Sequence, residues 1–215
     1  MMDNTMFVLE LVGVAAFAIS GAMVALEKRA DAFGIMLLGV ITALGGGIIR
    51  DLLLGNTPPV MFTSYTYVLV AAAAALAVFL AAYAHRESYR KNMDKIDSVN
   101  NVFDAVGLAV FTVSGMNMAI AQTGMGNPFL VIVLGVVTGV GGGVLRDTML
   151  GVMAKLLRKR IYALASLAGG VVYYLLLLAG VGEMLSALAG MLVIFALRVL
   201  ATVYKWNLPA VKIEE

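Results

Sequence analysis

The heptapeptide Gly-Gly-Gly-x-x-Arg-Asp occurs twice, at residues 45–51 and 141–147. Each copy interrupts a long apolar stretch of the kind that crosses a membrane. Three consecutive glycines cost a helix interior about 1 kcal/mol each relative to alanine. An Arg or Asp at the centre of a lipid-exposed helix costs about 2.5 to 3.5 kcal/mol. Backbone loosened at membrane depth is tolerated only where it is buried in protein or lines a water-filled cavity. Both copies therefore point to a polar path through the bilayer.

Hydrophobic residues make up 62% of the chain and charged residues 13%, against roughly 45 to 50% and 25% in soluble domains. This is the composition of an all-α integral membrane protein. With 215 residues and about 20 per span, there is room for seven helices and no separate soluble domain, so residues 1–215 read as one transmembrane domain. Hydropathy places the helices at about 5–26, 33–55, 62–84, 101–122, 128–151, 161–180 and 183–204. The first is not read as a signal peptide, because Asp3 and no basic residue precedes an apolar run too long for a cleaved segment. The absence of cysteine removes disulfides, thiol catalysis and Cys-based metal sites together.

Of the fifteen basic residues, all but Arg50, Arg146 and Arg198 lie in the first, third and fifth loops and the C-terminal tail: Lys28, Arg29, Arg86, Arg90, Lys91, Lys95, Lys155, Arg158, Lys159, Arg160, Lys205 and Lys212. The positive-inside rule then puts the N-terminus outside and the C-terminus in the cytoplasm. Topology explains the basic runs without a nucleic-acid partner.

An internal repeat organises the rest. Between Gly39 and Gly55, and again between Gly135 and Gly151, ten of seventeen positions are identical at an offset of 96, including Thr42 and Thr138, the glycine triplets and the Arg-Asp pairs. At an offset of 94, Gly13, Phe17, Ser20, Gly21 and Ala25 correspond to Gly107, Phe111, Ser114, Gly115 and Ala119, with Glu10 opposite Asp104. Repeat one covers about 5–84 and repeat two about 101–180, and the helix at about 183–204 stands outside both. Three helices per repeat start the second on the other side of the membrane, so the repeats must be inverted. That architecture places a transported species at the repeat interface.

The stripes Gly13, Gly21 and Gly107, Gly115 suit close helix packing, with Ser20 and Ser114 as interhelical hydrogen-bond groups. The triplets Gly45, Gly46, Gly47 and Gly141, Gly142, Gly143, with Thr42 and Thr138 just before them, read instead as pore-lining breaks or kinks in the second and fifth helices. Arg50, Asp51, Arg146 and Asp147 are followed by a further apolar turn, which sets them inside the membrane. Neighbours on a helix point about 100° apart, so each is expected to reach another helix, with Glu10 pairing Arg50 and Asp104 pairing Arg146. No Walker A, G-x-G-x-x-G, H-E-x-x-H or nucleophile-elbow motif occurs, and the chain reads as no enzyme, with no cofactor and no metal site.

The doubled GGGxxRD in a three-plus-three arrangement with a seventh helix resembles the prokaryotic branch of the trimeric intracellular cation (TRIC) channel family, over essentially the whole chain. The resemblance implies a homotrimer in the prokaryotic inner membrane. Each protomer then holds a potassium-permeable pore lined partly by the kinked helices, here at residues 45–47 and 141–143. Lipid and two further copies of the chain are the implied partners, with no soluble protein partner evident. The Lys-Glu-Val tripeptide and basic C-terminal extension of animal members are missing, so their gating is not carried over. The same bacterial family also looks like proteins assigned as transporters of glycine or other small neutral amino acids. Four carboxylates in the hydrophobic zone (Glu10, Asp51, Asp104, Asp147) against three arginines favour a cation path.

The topology is testable directly. Cysteines placed singly at Asn56 and Gln122 should react with an impermeant thiol reagent from outside, and those at Lys91 and Lys159 only after permeabilisation. Labelling of all four from one side would sink the inverted arrangement.

Overall fold

The computed structural model describes residues 4–154 and 161–206; Asp3, the basic loop residues 155–160 and Lys212, on which part of the topology reading rests, lie outside them. The described residues form helices α1 (Asn4–Glu27), α2 (Ala32–Leu53), α3 (Val60–Thr63), α4 (Tyr65–Ala84), α5 (Arg86–Lys91), α6 (Met93–Thr123), α7 (Pro128–Met149), α8 (Ala163–Leu178) and α9 (Glu183–Val203), with no strand among them. In lipid only structures that satisfy their own backbone can span. Six of these helices are long and apolar enough to cross a membrane.

Three boundaries differ from the sequence reading. The expected third helix is divided by extended Ser64 into α3 and α4. The fourth, α6, begins eight residues early, because the helix continues through the polar run from Met93, which a hydropathy reading leaves in the loop. The sixth, α8, has only 16 residues, about 24 Å at 1.5 Å per residue against a hydrocarbon core of about 30 Å.

α1 and α6 form the centre, with 61% and 72% of their apolar windows buried, whereas α4 at 22% lies at the edge. Each of the two central helices packs on the other and on one triplet helix, α1 on α2 and α6 on α7, and α2 packs on α7. Contacts between matched positions are reciprocal. Phe17 stacks on Phe111 with ring centroids 5.4 Å apart, Gly107 lies against Phe17, and Gly13 lies against Phe111 and Val110. The packing stripes thus let two aromatic rings sit between the central helices.

The triplets do not interrupt their helices. α2 and α7 run through residues 45–47 and 141–143 without a break, so of the breaks or kinks expected there, the breaks are corrected. Unsatisfied backbone groups inside a bilayer cost several kcal/mol each, more than the glycines' loss of helix propensity. What the glycines provide is approach. A methyl group on Gly46 would overlap the Thr138 carbonyl oxygen and come within 3.0 Å of its carbon, and one on Gly142 would meet the Thr42 carbonyl in the same way. The glycine hydrogens fill those positions, as in the Cα–H···O contacts that recur where helices cross closely.

Both triplet helices end alike. Gly55 and Gly151 take φ of +76° and +63°, and their following residues close Schellman motifs, with the Asn56 amide donating to Asp51 O (2.8 Å) and the Val152 amide to Asp147 O (3.0 Å). At one end of the bundle Asn56 donates to Gln122 (3.0 Å), which donates back to Leu54 O (2.8 Å). This puts the ends of α2 and α6 on one side.

Alanine at Gly46 or Gly142 must push α2 and α7 apart. Each substitution should lower the unfolding free energy by about 1–3 kcal/mol, read as a fall in the thermal midpoint of the detergent-solubilised protein. An unchanged midpoint would mean that the crossing is looser than described.

Candidate functional site

The three glycines of each triplet face three different things. The first admits an apolar side chain of the other helix: Leu145 Cδ1 lies 2.5 Å from where a Gly45 Cβ would be, and Ile49 Cδ1 3.1 Å from that of Gly141. The second admits the Thr carbonyl. The third faces the helix's own arginine at ordinary contact distance, with the Arg50 guanidinium 3.8 Å from a Cβ on Gly47, and the Tyr162 hydroxyl 3.4 Å and the Arg146 guanidinium 3.7 Å from one on Gly143. Thr42 and Thr138 donate their hydroxyls to Leu38 O (2.5 Å) and Leu134 O (2.6 Å) of their own helices. They therefore offer main-chain carbonyls, not hydroxyls, to the crossing.

Beyond the triplets lie two clusters of buried charge. In the first, Arg50 pairs with Asp51, its neighbour in sequence, with Nη2 to Oδ1 at 2.8 Å and Nε to the same oxygen at 2.8 Å. The expectation that adjacent residues would not pair is corrected here, and so is the pair Glu10–Arg50. The long guanidinium folds back along its own helix, a freedom the 100° rule for Cβ directions leaves out. The second oxygen of Asp51 accepts the Val60 amide at 3.0 Å, so α3 caps the cluster. Glu10 instead accepts from the Tyr67 hydroxyl (2.7 Å) and from Ser114. Glu10, Arg50, Asp51, Gly47 and Tyr67 line a cavity of about 60 Å³, room for more than one water at roughly 10–15 Å³ each.

The second cluster repeats the first and adds a member. Arg146 pairs with Asp147 (Nε to Oδ1, 2.8 Å) and also with Asp104 (Nη1 to Oδ1, 3.4 Å). Ser20 accepts from Arg146 (3.3 Å) and donates to Asp104 (3.4 Å). The serines thus cross between units: Ser20 of α1 meets Asp104 of α6, and Ser114 of α6 meets Glu10 of α1. The added member is Arg198 of α9, whose Nη2 lies 3.3 Å from Asp104 Oδ2 and whose guanidinium sits 4.5 Å above the Tyr162 ring. Asp104 and Arg146 are fully buried, where an unpaired charge would be prohibitive.

Sequence reasoning missed Tyr67, Tyr162 and the partner of Arg198. A tyrosine opens the third long helix of each unit at an offset of 95, and that spacing was the available signal. Gly13, Gly21, Gly107 and Gly115 serve packing contacts, Gly21 against Thr42 and Gly115 against Thr138. Among the described residues no group of three or more His, Asp or Glu could hold a metal ion.

Stability should report this geometry. Asp104→Asn removes the carboxylate charge that Arg146 and Arg198 share and should lower stability by about 3–5 kcal/mol. A double-mutant cycle on Asp104 and Arg146 should give a coupling of about 0.5–3 kcal/mol, and the cycle on Glu10 and Arg50 should be close to additive. The opposite pattern would contradict the two clusters as drawn.

Comparisons with known proteins bear on the same residues. A family model described as "Glycine transporter" matches the chain over residues 7–83 and 101–178. The UPF0126 inner membrane protein YadS of Escherichia coli is 36% identical over 212 residues, spanning 96% of each chain. Among solved structures, the TRIC channel orthologue of Rhodobacter sphaeroides superposes with a TM-score of 0.84 at 33% identity, over 95% of this chain and all of that one. A structure from work on conductance through TRIC cation channels superposes with a TM-score of 0.82 at 35% identity, over the whole of both chains.

Proposed function

The chain belongs to the family of the UPF0126 membrane proteins and the prokaryotic TRIC channels, and on that premise we propose that it is a cation channel carrying potassium through a path inside each protomer of a homotrimer. The observation that carries this reading is the full-length likeness to a solved cation channel. The site agrees with it in chemistry. Four buried carboxylates face three arginines, and the carboxylate excess falls at the cavity lined by Glu10 and Asp51. Rings of carboxylates favour cations in pores.

In this reading the path enters the cavity beside Glu10, meets the crossing of α2 and α7 at residues 45–47 and 141–143, and continues past Asp104 and Arg146. Backbone contact at Gly46 and Gly142 closes the crossing in the conformation described. Opening requires the two helices to part or bend there. Glycine runs lower the resistance to bending, and the back-bonded hydroxyls of Thr42 and Thr138 bias their helices in the same direction. The reciprocal glycine and phenylalanine contacts support reading the two three-helix units as inverted repeats. The N-terminus then lies outside and the C-terminus in the cytoplasm, in the inner membrane.

The description of the family model names transport of glycine instead, and one experiment separates the two classes. Purified protein reconstituted into planar bilayers should give discrete unitary currents under a potassium gradient, and trimers in detergent. Silence in the bilayer, together with saturable glycine uptake into vesicles of the same preparation, would replace the channel with a transporter.

A further inference from the structure

The two charge clusters differ at one point. Glu10 and Asp104 occupy matching positions, yet their partners are different in kind. The Glu10 oxygens accept from two neutral hydroxyls, those of Tyr67 and Ser114. Asp104 is held by two guanidinium groups, Arg146 at 3.4 Å and Arg198 at 3.3 Å. Arg198 comes from α9, the one long helix outside the matched units. It is 3% exposed, packed over Tyr162, and held in place because α9 packs on both α6 and α8. A guanidinium stays protonated at any working pH. With Asp51 and Asp147 paired to their own neighbours, among the described residues the first cluster has one carboxylate more than its cations, and the second has two carboxylates to two arginines.

We infer that Arg198 is a tethered cation that holds Asp104 in place of a permeating one, making the two halves of the conduction path electrically unequal and limiting the current through the second half. This rests on the channel reading above. A mobile cation reaching Glu10 displaces hydroxyl hydrogen bonds only. One reaching Asp104 competes with a fixed positive charge already in contact with the carboxylate, Arg198 Nη2 lying 3.3 Å from Oδ2. Charged side chains at a constriction set both selectivity and throughput, so the inequality appears as a conductance that depends on polarity.

The test compares wild type, Arg198→Gln and Arg198→Lys in planar bilayers with symmetrical potassium chloride and protein added from one side. Arg198→Gln should conduct several-fold more current and lose the difference between polarities, while Arg198→Lys stays near wild type. An Arg198→Gln channel with wild-type or smaller current and the same polarity ratio would overturn the inference alone. A silent wild type would overturn the channel reading and this inference with it. The chain contains no cysteine, so Arg198→Cys serves where the glutamine variant does not assemble. Modification with 2-aminoethyl methanethiosulfonate restores a positive charge and should bring the raised current down, whereas methyl methanethiosulfonate should leave it raised. Equal responses to the two reagents would refute a charge-based role.

Discussion

Two helices that touch backbone to backbone in the middle of a membrane protein set the terms for everything around them. At the crossing of α2 and α7 the second glycine of each triplet meets the threonine carbonyl of the other helix. No side chain fits between them. Lipid supplies no hydrophobic drive for helix association, so dispersion contacts and weak Cα–H···O bonds at such short range carry the association. The flanking glycines extend the same economy of space: one admits Leu145 or Ile49 from across the interface, and the other admits the arginine of its own helix.

That last accommodation links packing to charge. An arginine folded back along its own helix pairs with the aspartate next to it in sequence, which it could not reach if it projected straight outward. Each triplet helix therefore carries an internally neutral Arg-Asp unit to membrane depth. The carboxylates of the central helices, Glu10 and Asp104, are left to find partners elsewhere. Glu10 finds hydroxyls beside a small cavity, and Asp104 finds two arginines. A buried ion pair is sustained only when its remaining hydrogen-bonding positions are filled, and the crossed serines Ser20 and Ser114 fill several of them.

In the proposed channel, the same crossing would be both structural anchor and obstruction. Glycine is the residue that permits the closest approach and also the one that least resists bending, so one short motif can hold the closed packing and yield when the helices part. The seventh long helix, α9, contributes to this site through Arg198. It is therefore more than a peripheral addition to the two three-helix units.

How much of this could be read from the chain depends on the range of the physics involved. The all-helical, membrane-spanning character, the doubled motif and the matched positions follow from local hydropathy and self-similarity, both written in the sequence. The pairing of Asp104 with Arg146 was anticipated from their matching depths, but the same argument paired Glu10 with Arg50, which the structure does not do. The continuity of the triplet helices was not anticipated, since helix propensity disfavours glycine and only the partner's carbonyl, 92 or 100 residues away in sequence, shows why the position must lack a side chain. The pairing of Arg50 with Asp51, the hydroxyl shell of Glu10 and the arrival of Arg198 at Asp104 were decided by tertiary structure for the same reason. A guanidinium can reach in many directions from one Cα, and the space left by neighbouring helices selects among them.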